Sequence, residues 1–158
     1  MVVLILSDSH GHLEEMVQAT ERTQPDAICH LGDCWHDGQR LSALYPHLPF
    51  YAVPGNCDMV YDQPRELTVS LGGHTVFLCH GDRYGVKLGL GGLADISERT
   101  GAELVLFGHT HRPFIDHRYG AMLLNPGSIG LPPKPGAYAY AVAYLEEGKN
   151  VNAWLKTL

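Results

Sequence analysis

Short apolar runs, each broken off by a polar loop, dominate the first two thirds of the chain. Residues 2–6 (VVLIL) run into SDSH, residues 27–31 (AICHL) into GDCWH, and residues 50–53 (FYAV) into PGNCD. The pattern continues with residues 75–79 (TVFLC) before HGD, 103–107 (ELVLF) before GHTH, and 122–124 (MLL) before NPGS. Unbroken apolar runs of this length, rich in Val, Ile, Leu and Phe, predict strands buried on both faces.

Helical patterns lie between several of them. Residues 12–23 place Leu13, Met16, Val17 and Thr20 on one stripe, with Glu and Gln opposite. A shorter helix is predicted over 37–46, closing before Pro49, and another within 86–100, where LADISERT stops at Gly101. Residues 65–79 read as a hairpin turning at Gly72-Gly73. Beyond residue 112 the pattern becomes strand-rich: FIDHR, AMLLN, AYAYAVAYL and NVNAWL. There Tyr138, Tyr140, Val142 and Tyr144 alternate with small residues, as in a packed strand. The fold class is therefore α/β. The expectation is an α/β core with an added, largely antiparallel sheet, giving two packed sheets with helices outside them.

Composition narrows the function. With 158 residues the expectation is a single domain over 1–158, long enough to bury its own core. A net charge of −6 favours neither nucleic acid nor an anionic membrane as partner. The opening MVVLIL stops at Ser7-Asp8, too short for a signal-peptide core or a spanning helix. Cys29, Cys34, Cys57 and Cys79 form no C-x-x-C pair or zinc-finger spacing. A disulfide framework is not expected in a domain of this size, so a reduced, cytoplasmic setting is. The sequence leaves a homo-oligomer open.

Ten histidines stand beside only eleven Lys and Arg. Ligands of open α/β sheets bind beyond the carboxyl ends of the strands, and the polar clusters fall there. Asp8 and His10 follow the first strand, Asp33 the second and Asn56 the third; His80, then His109 and His111, follow two more. In extended backbone, residues two apart share a side, so each close pair is expected to face one cleft. Turn-capping by Asp and Asn is the competing explanation, but it does not account for seven donors at strand ends. Seven exceed the four that one tetrahedral zinc takes. They suit two divalent ions about 3.5–4 Å apart sharing a carboxylate. Imidazole with carboxylate and amide oxygen favours Mn, Fe, Zn or Ni over pure Mg or Ca chemistry. Two such ions against two Asp charges would leave a cationic site able to attract a small phosphate ester.

SDSH, GD at 32–33, GNCD at 55–58, HG at 80–81 and GHTH at 108–111 together resemble the calcineurin-like metallophosphoesterases. NPGS at 125–128 and the short chain look like the small bacterial and archaeal phosphodiesterase branch. The resemblance implies a four-layer α/β/β/α fold, two sheets flanked by helices. It also implies that Asp8, His10, Asp33 and His111 hold one metal, and Asp33, Asn56, His80 and His109 the other. Manganese is the first expectation, with Fe, Zn, Ni or Mg as alternatives. The implied reaction is hydrolysis of a phosphodiester by in-line attack of a hydroxide bridging the two metals, with Asp33, Asn56 and His80 in the catalytic set. Alternatives are a phosphomonoesterase or nuclease of the same superfamily, or a non-catalytic scaffold like the retromer subunit of this fold. A cysteine hydrolase built on Cys57 is a third class, but it leaves the other donors unused. Many relatives carry His where Cys57 stands, as an acid for the leaving group, so this position departs from the pattern.

The remaining candidates have plainer expectations. His12, His36, His47, His74 and His117 are expected as surface or cap residues, and His30 as a hydrogen-bonded core residue. Cys29 and Cys79 are expected as small core hydrophobes. GLGG at 89–92 lacks phosphate-loop spacing and reads as a cleft-edge turn. Arg83 and Lys134 are expected in solvent, and NPGS as a turn. Asp58 and Asp82 are candidates to orient the metal donors.

Overall fold

The first strand shows why the apolar runs are unbroken. In β1 (Val2–Leu6), Val3 and Ile5 pack between two sheets while Leu4 and Leu6 pack outward under helices; all four are buried. Alternating side chains thus find apolar cover on both sides, each worth about 1.5–3 kcal/mol on full burial.

The computed structural model describes residues 1–158. The first sheet has the order β10-β9-β1-β2-β3. In it β2 (Ala27–His30) and β3 (Phe50–Ala52) continue parallel to β1, while β9 (Ala139–Tyr144) and β10 (Asn152–Thr157) add antiparallel. The second sheet comprises β4 (Glu66–Leu71), β5 (His74–Cys79), β6 (Leu104–Leu106), β7 (Phe114–Arg118) and β8 (Ala121–Asn125), in the order β4-β5-β6-β8-β7. Here β5, β6 and β8 are parallel, with β4 and β7 antiparallel at the edges.

Helices α1 (Leu13–Thr23) and α2 (Trp35–Leu44) cover the outer face of the first sheet, where Met16, Ala19 and Leu41 meet Leu4, Leu6 and Ile28. Helix α3 (Gly91–Thr100) covers the second through Leu93 and Ile96 against Phe77 and Val105. The result is four layers, α/β/β/α. Between the sheets lies an apolar core that includes Ile5, Leu31, Leu78, Leu106 and Leu124.

Two expectations need correction. The parallel strands do not form one core with an antiparallel sheet added; three lie in each sheet, with β9 and β10 extending the first trio beyond β1, and β4 and β7 flanking the second on both sides. The β4–β5 hairpin turns at Gly72-Gly73 within the second sheet, and the segment between β3 and β4 carries the chain from the first sheet to it. The second correction is that α2 begins at Trp35, not residue 37, and ends at Leu44. Its first N–H is capped from far along the chain, since Trp35 N donates to Asp58 Oδ1 at 2.7 Å, a partner that local pattern does not reveal.

Candidate metal centre

The loops that leave β1, β2, β3, β5 and β6 meet over the carboxyl ends of both parallel trios. They bring the seven strand-end residues into two groups that meet at Asp33. In the first, ligand atoms of Asp8, His10, Asp33 and His111 all lie within 4.8 Å of one another. In the second, His80 Nε2 lies 3.0 Å from Asn56 Oδ1 and 3.2 Å from His109 Nδ1. Asp33 Oδ2 is 3.9 Å from His10 Nε2 and 3.5 Å from His80 Nε2, so one carboxylate oxygen faces both groups.

The backbone that presents them is unusual. Asp8, His10, Asp33, His109 and His111 all adopt positive φ, between 44° and 67°. Such residues are uncommon outside glycine and collect at functional sites. The close pairs therefore do not sit in extended backbone, as the spacing had implied. Left-handed turns aim them instead, and the two histidines of GHTH part company. His109 meets His80, with ring centroids 5.0 Å apart, while His111 Nε2 lies 3.1 Å from Asp8 Oδ1.

Hydrogen bonds fix each donor. Leu31 O accepts from His80 Nδ1 at 2.7 Å, and Leu131 O accepts from His111 Nδ1 at 2.8 Å. A carbonyl only accepts, so each Nδ1 carries hydrogen and each Nε2 is turned toward the cluster. Asp33 Oδ1 accepts from the Cys57 N–H at 2.9 Å, leaving Oδ2 for the centre. Asp8 Oδ2 accepts from Ser7 Oγ and from the His109 N–H. Asp58 takes three N–H groups, from Asp33, Trp35 and Gly55, and so pins the Asp33 loop to the Asn56 loop. Asp82 makes no such contact; it opens a single 3₁₀ turn, Asp82–Tyr84. NPGS does more than turn. Asn125 Nδ2 donates to Gly108 O at 2.7 Å and Ser128 Oγ to Asp8 O at 2.8 Å, tying both ligand loops to the chain after β8.

The glycines of the motifs leave no room for a side chain. A Cβ at Gly55 would lie 2.1 Å from Asp33 Oδ1, and one at Gly108 would lie 2.0 Å from Ser7 Oγ.

The donor set fits divalent metal. Asp8 Oδ1 and His10 Nε2 are buried and form no hydrogen bond, although His111 Nε2 stands 3.1 Å from the former. Buried acceptors normally find partners, and one left without costs about 1–3 kcal/mol. The titration pattern agrees. Burial would lower the His80 pKa, but its contacts with Asp33, the charge of Asp8 and the Leu31 carbonyl raise it instead. His111 is raised chiefly by its contact with Asp8. His109 is lowered by burial and by the charges of His80 and Lys87. Burial would raise Asp33, yet His80 and the Cys57 N–H hold it well below the usual carboxylate range. Acceptors crowded in this way favour a cation among them.

Cys57 lies on the exposed rim, and Asn56 Nδ2 lies 3.5 Å from its sulfur. Desolvation of the sulfur, with the carboxylates of Asp33, Asp58 and Asp8 nearby, pushes its pKa up to about 11. It is a thiol at neutral pH, unsuited to act as nucleophile.

The other histidines sort by position. His12 pairs with Glu15 at the start of α1, and His36, His47 and His117 are exposed. His30 is fully buried against Ser9, with Nε2 3.3 Å from its hydroxyl, but its Nδ1 has no partner. His74 corrects the expectation of a surface residue: it is buried, with Nδ1 2.9 Å from Glu103 Oε2 and Nε2 3.0 Å from Glu146 O. Arg83 and Lys134 are exposed. GLGG runs into α3, whose first two residues are Gly91 and Gly92. No helix is long and apolar enough to cross a membrane.

Residues 1–148 match the Calcineurin-like phosphoesterase superfamily domain. The chain is 36% identical over 149 residues to a probable metallophosphoesterase, YsnB, of Bacillus subtilis, covering 92% of this chain and 85% of that one. It is 26% identical over 157 residues to the phosphodiesterase YfcE of Escherichia coli, covering 84% and 81%. Its fold matches Vacuolar Protein Sorting 29 of Cryptosporidium parvum with a TM-score of 0.76 at 16% identity, over 99% of this chain and 98% of that one. The donor cluster over two packed sheets and the match along most of the sequence agree, and the chain belongs to the calcineurin-like phosphoesterase superfamily, whose members use divalent metals.

Proposed function

We propose that this protein is a metal-dependent phosphodiesterase with a dinuclear centre. Asp8, His10, Asp33 and His111 would hold one ion, and Asp33, Asn56, His80 and His109 the other, manganese being the first choice. The observation that carries the reading is Asp33 Oδ2, which faces both donor groups while the opposite oxygen is held by Cys57 N–H. Bound there, the ions would lower the pKa of water and neutralise charge on the phosphoryl group.

The chain's own residues do the rest. Asp58 fixes the loop that carries Asp33, and the carbonyls of Leu31 and Leu131 fix the tautomers of His80 and His111. These contacts set the donors before substrate arrives, which lowers the reorganisation needed in the reaction. Cys57 stands at the rim beside Asn56, where a leaving group would depart, and its thiol is a weak acid. The reading therefore includes a bias toward esters with good leaving groups. The name of the Escherichia coli relative favours a diester over a monoester. The Vacuolar Protein Sorting 29 fold keeps a scaffold role as the second reading.

The test is a metal-by-substrate screen on chelator-treated protein, with bis(p-nitrophenyl) phosphate and p-nitrophenyl phosphate as the diester and monoester. Manganese is expected to restore diester hydrolysis in preference to monoester hydrolysis, with Asp33→Ala as the blank. A protein that neither binds nor responds to any divalent ion sinks the reading and leaves the scaffold.

A further inference from the structure

Beside the donor cluster lies a cavity of about 610 Å³. One wall is the loop Phe107–Phe114, whose other side carries His109 and His111. Phe107, Thr110, Arg112, Pro113 and Phe114 line it from this loop, and Val86, Lys87 and Leu90 from the segment after β5. The floor is aromatic: Phe107 and Phe114 have ring centroids 6.2 Å apart and planes tilted by 59°. Two of the chain's eleven Lys and Arg line it, and no Asp or Glu does, in a molecule of net charge −6. Phe107 belongs to the core under α3, so the floor is anchored, while Lys87 and Arg112 are exposed and free to reach a ligand. Thr110 sets the wall rigidly, because Asn125 Nδ2 donates to its hydroxyl at 3.1 Å and that hydroxyl takes the Arg112 N–H at 3.3 Å.

The geometry points to this cavity as the subsite for one ester arm of the substrate, an arm carrying an aromatic ring and a second negative charge. The ring lies on Phe114, which the buried Phe107 backs. The charge meets Lys87 and Arg112, whose cationic groups have no lone pair to offer a metal. Apolar floor and cationic rim together select against short alkyl arms, which reach neither, and against cationic arms, which the rim repels. A single charge-assisted contact of this kind is worth about tenfold or more in affinity. The substrate class follows: phosphodiesters of an anionic aryl or heteroaryl alcohol. The assignment of substrate rests on the phosphodiesterase reading; the cavity's preference for an aromatic anion does not.

The experiment has two arms. In the first, chelator-treated protein is titrated with 1-naphthalenesulfonate by calorimetry, without metal. One site is expected, weakened about tenfold or more in Lys87→Gln/Arg112→Gln and in Phe114→Ala. Arg22→Gln/Lys156→Gln, a like loss of two charges on α1 and β10, is expected to bind as wild type does. In the second, metal-loaded protein is given two p-nitrophenyl diesters, one with a methyl arm and one with a sulfonated naphthyl arm. The kcat/KM ratio of the second over the first is expected to fall about tenfold or more in the double variant, through KM. Wild type and cavity variants that bind the sulfonate equally, or wild type that does not bind it, overturn the subsite. Binding as expected with no hydrolysis of either ester overturns the phosphodiesterase reading and keeps the aromatic-anion site. Hydrolysis with an unchanged ratio overturns the assignment of the site to this substrate.

Discussion

Strand β5 has a histidine at each end, and the two have opposite surroundings. His74 opens the strand and His80 follows its last residue, about 20 Å away at 3.3 Å per residue. Both are buried. His74 has one partner per ring nitrogen, Glu103 and the Glu146 carbonyl, each at good hydrogen-bonding distance. His80 has Leu31 O on one side, but its other nitrogen is crowded by Asn56, His109 and Asp33. Close by, Asp8 Oδ1 and His10 Nε2 are buried without a hydrogen bond, Asp8 Oδ1 facing only His111 Nε2 at 3.1 Å. One end of the molecule has closed its polar accounts internally, and the other is arranged for something that is not protein. Buried polar groups are therefore better sorted by whether their partners match than by burial or residue type.

The largest break in that comparison is expected from Asp33→Asn. The amide keeps an oxygen for the Cys57 N–H and a donor for His80, but it loses the charge that holds the Asp33 carboxyl below the usual range, so metal-free stability should fall modestly. Activity should fall by about a thousandfold or more, since the residue between both donor groups loses its charge. Metal-free wild type given Mn at a hundred times its Kd should gain about 2.7 kcal/mol, seen as a melting shift of about 5–10 °C. Asp33→Asn should show neither the shift nor the activity. A variant that keeps both would place the metal, if any, elsewhere.

His30 is the intermediate case, with one nitrogen matched and one not. Full burial pushes its pKa down to about 4, against the raising charges of Asp8, Asp58 and Asp37. The unfolded chain takes up this proton near 6.5, while the folded chain resists until about 4. Its contribution is thus whole above pH 6.5 and lost as the pH falls toward 4, by about 3 kcal/mol. His80 and His111 are raised and slope the other way, so the readout is a difference. Denaturant melts of metal-free wild type and His30→Gln should diverge between pH 7 and 4.5, with the variant losing less. Parallel curves would show that His30 is not held neutral.

Most of the donor end was legible because chemistry and position coincide there: Asp8, Asp33, Asn56 and His80 each follow an apolar run. The left-handed backbone at Asp8, His10, Asp33, His109 and His111 was not legible, since two-residue spacing reads as extended chain. Nor was the role of Asp58, whose three N–H partners lie up to 25 residues away. His74 was misplaced for the same reason: it stands beside the Gly72-Gly73 turn, where polar residues are usually exposed. Its partners Glu103 and Glu146 are 29 and 72 residues distant. The even division of parallel strands between two sheets also escaped, because strand order depends on pairings that an alternating pattern does not encode.

At the donor end, Cys57→His sharpens what the rim contributes. An imidazolium in place of a thiol with a pKa of about 11 supplies the acid that alkyl leaving groups need. The ratio of alkyl to aryl ester hydrolysis should rise by about a hundredfold, the lower part of the range for general acid catalysis. An unchanged ratio would mean that position 57 does not face the leaving group.

The smallest effect is expected at the matched end, and it completes the contrast because activity and the metal response should survive there. His74→Ala removes a buried ring from between Glu103 and Glu146. Glu103 is half exposed and recovers water, so the loss falls on the Glu146 carbonyl and on packing at the start of β5. Together these should cost about 2 kcal/mol, a lowering of the melting temperature by about 4–8 °C. The donors are set by Leu31, Leu131, Asp58 and Asn125, none of which is hydrogen-bonded to His74, so kcat per folded molecule should stay within about twofold and the melting gain on adding Mn should persist. Asp33→Asn is expected to lose activity and the Mn response, and His74→Ala to keep both while losing stability. If His74→Ala instead lost the Mn response, the two ends of β5 would be coupled, and matched partners would no longer separate a structural histidine from a working one.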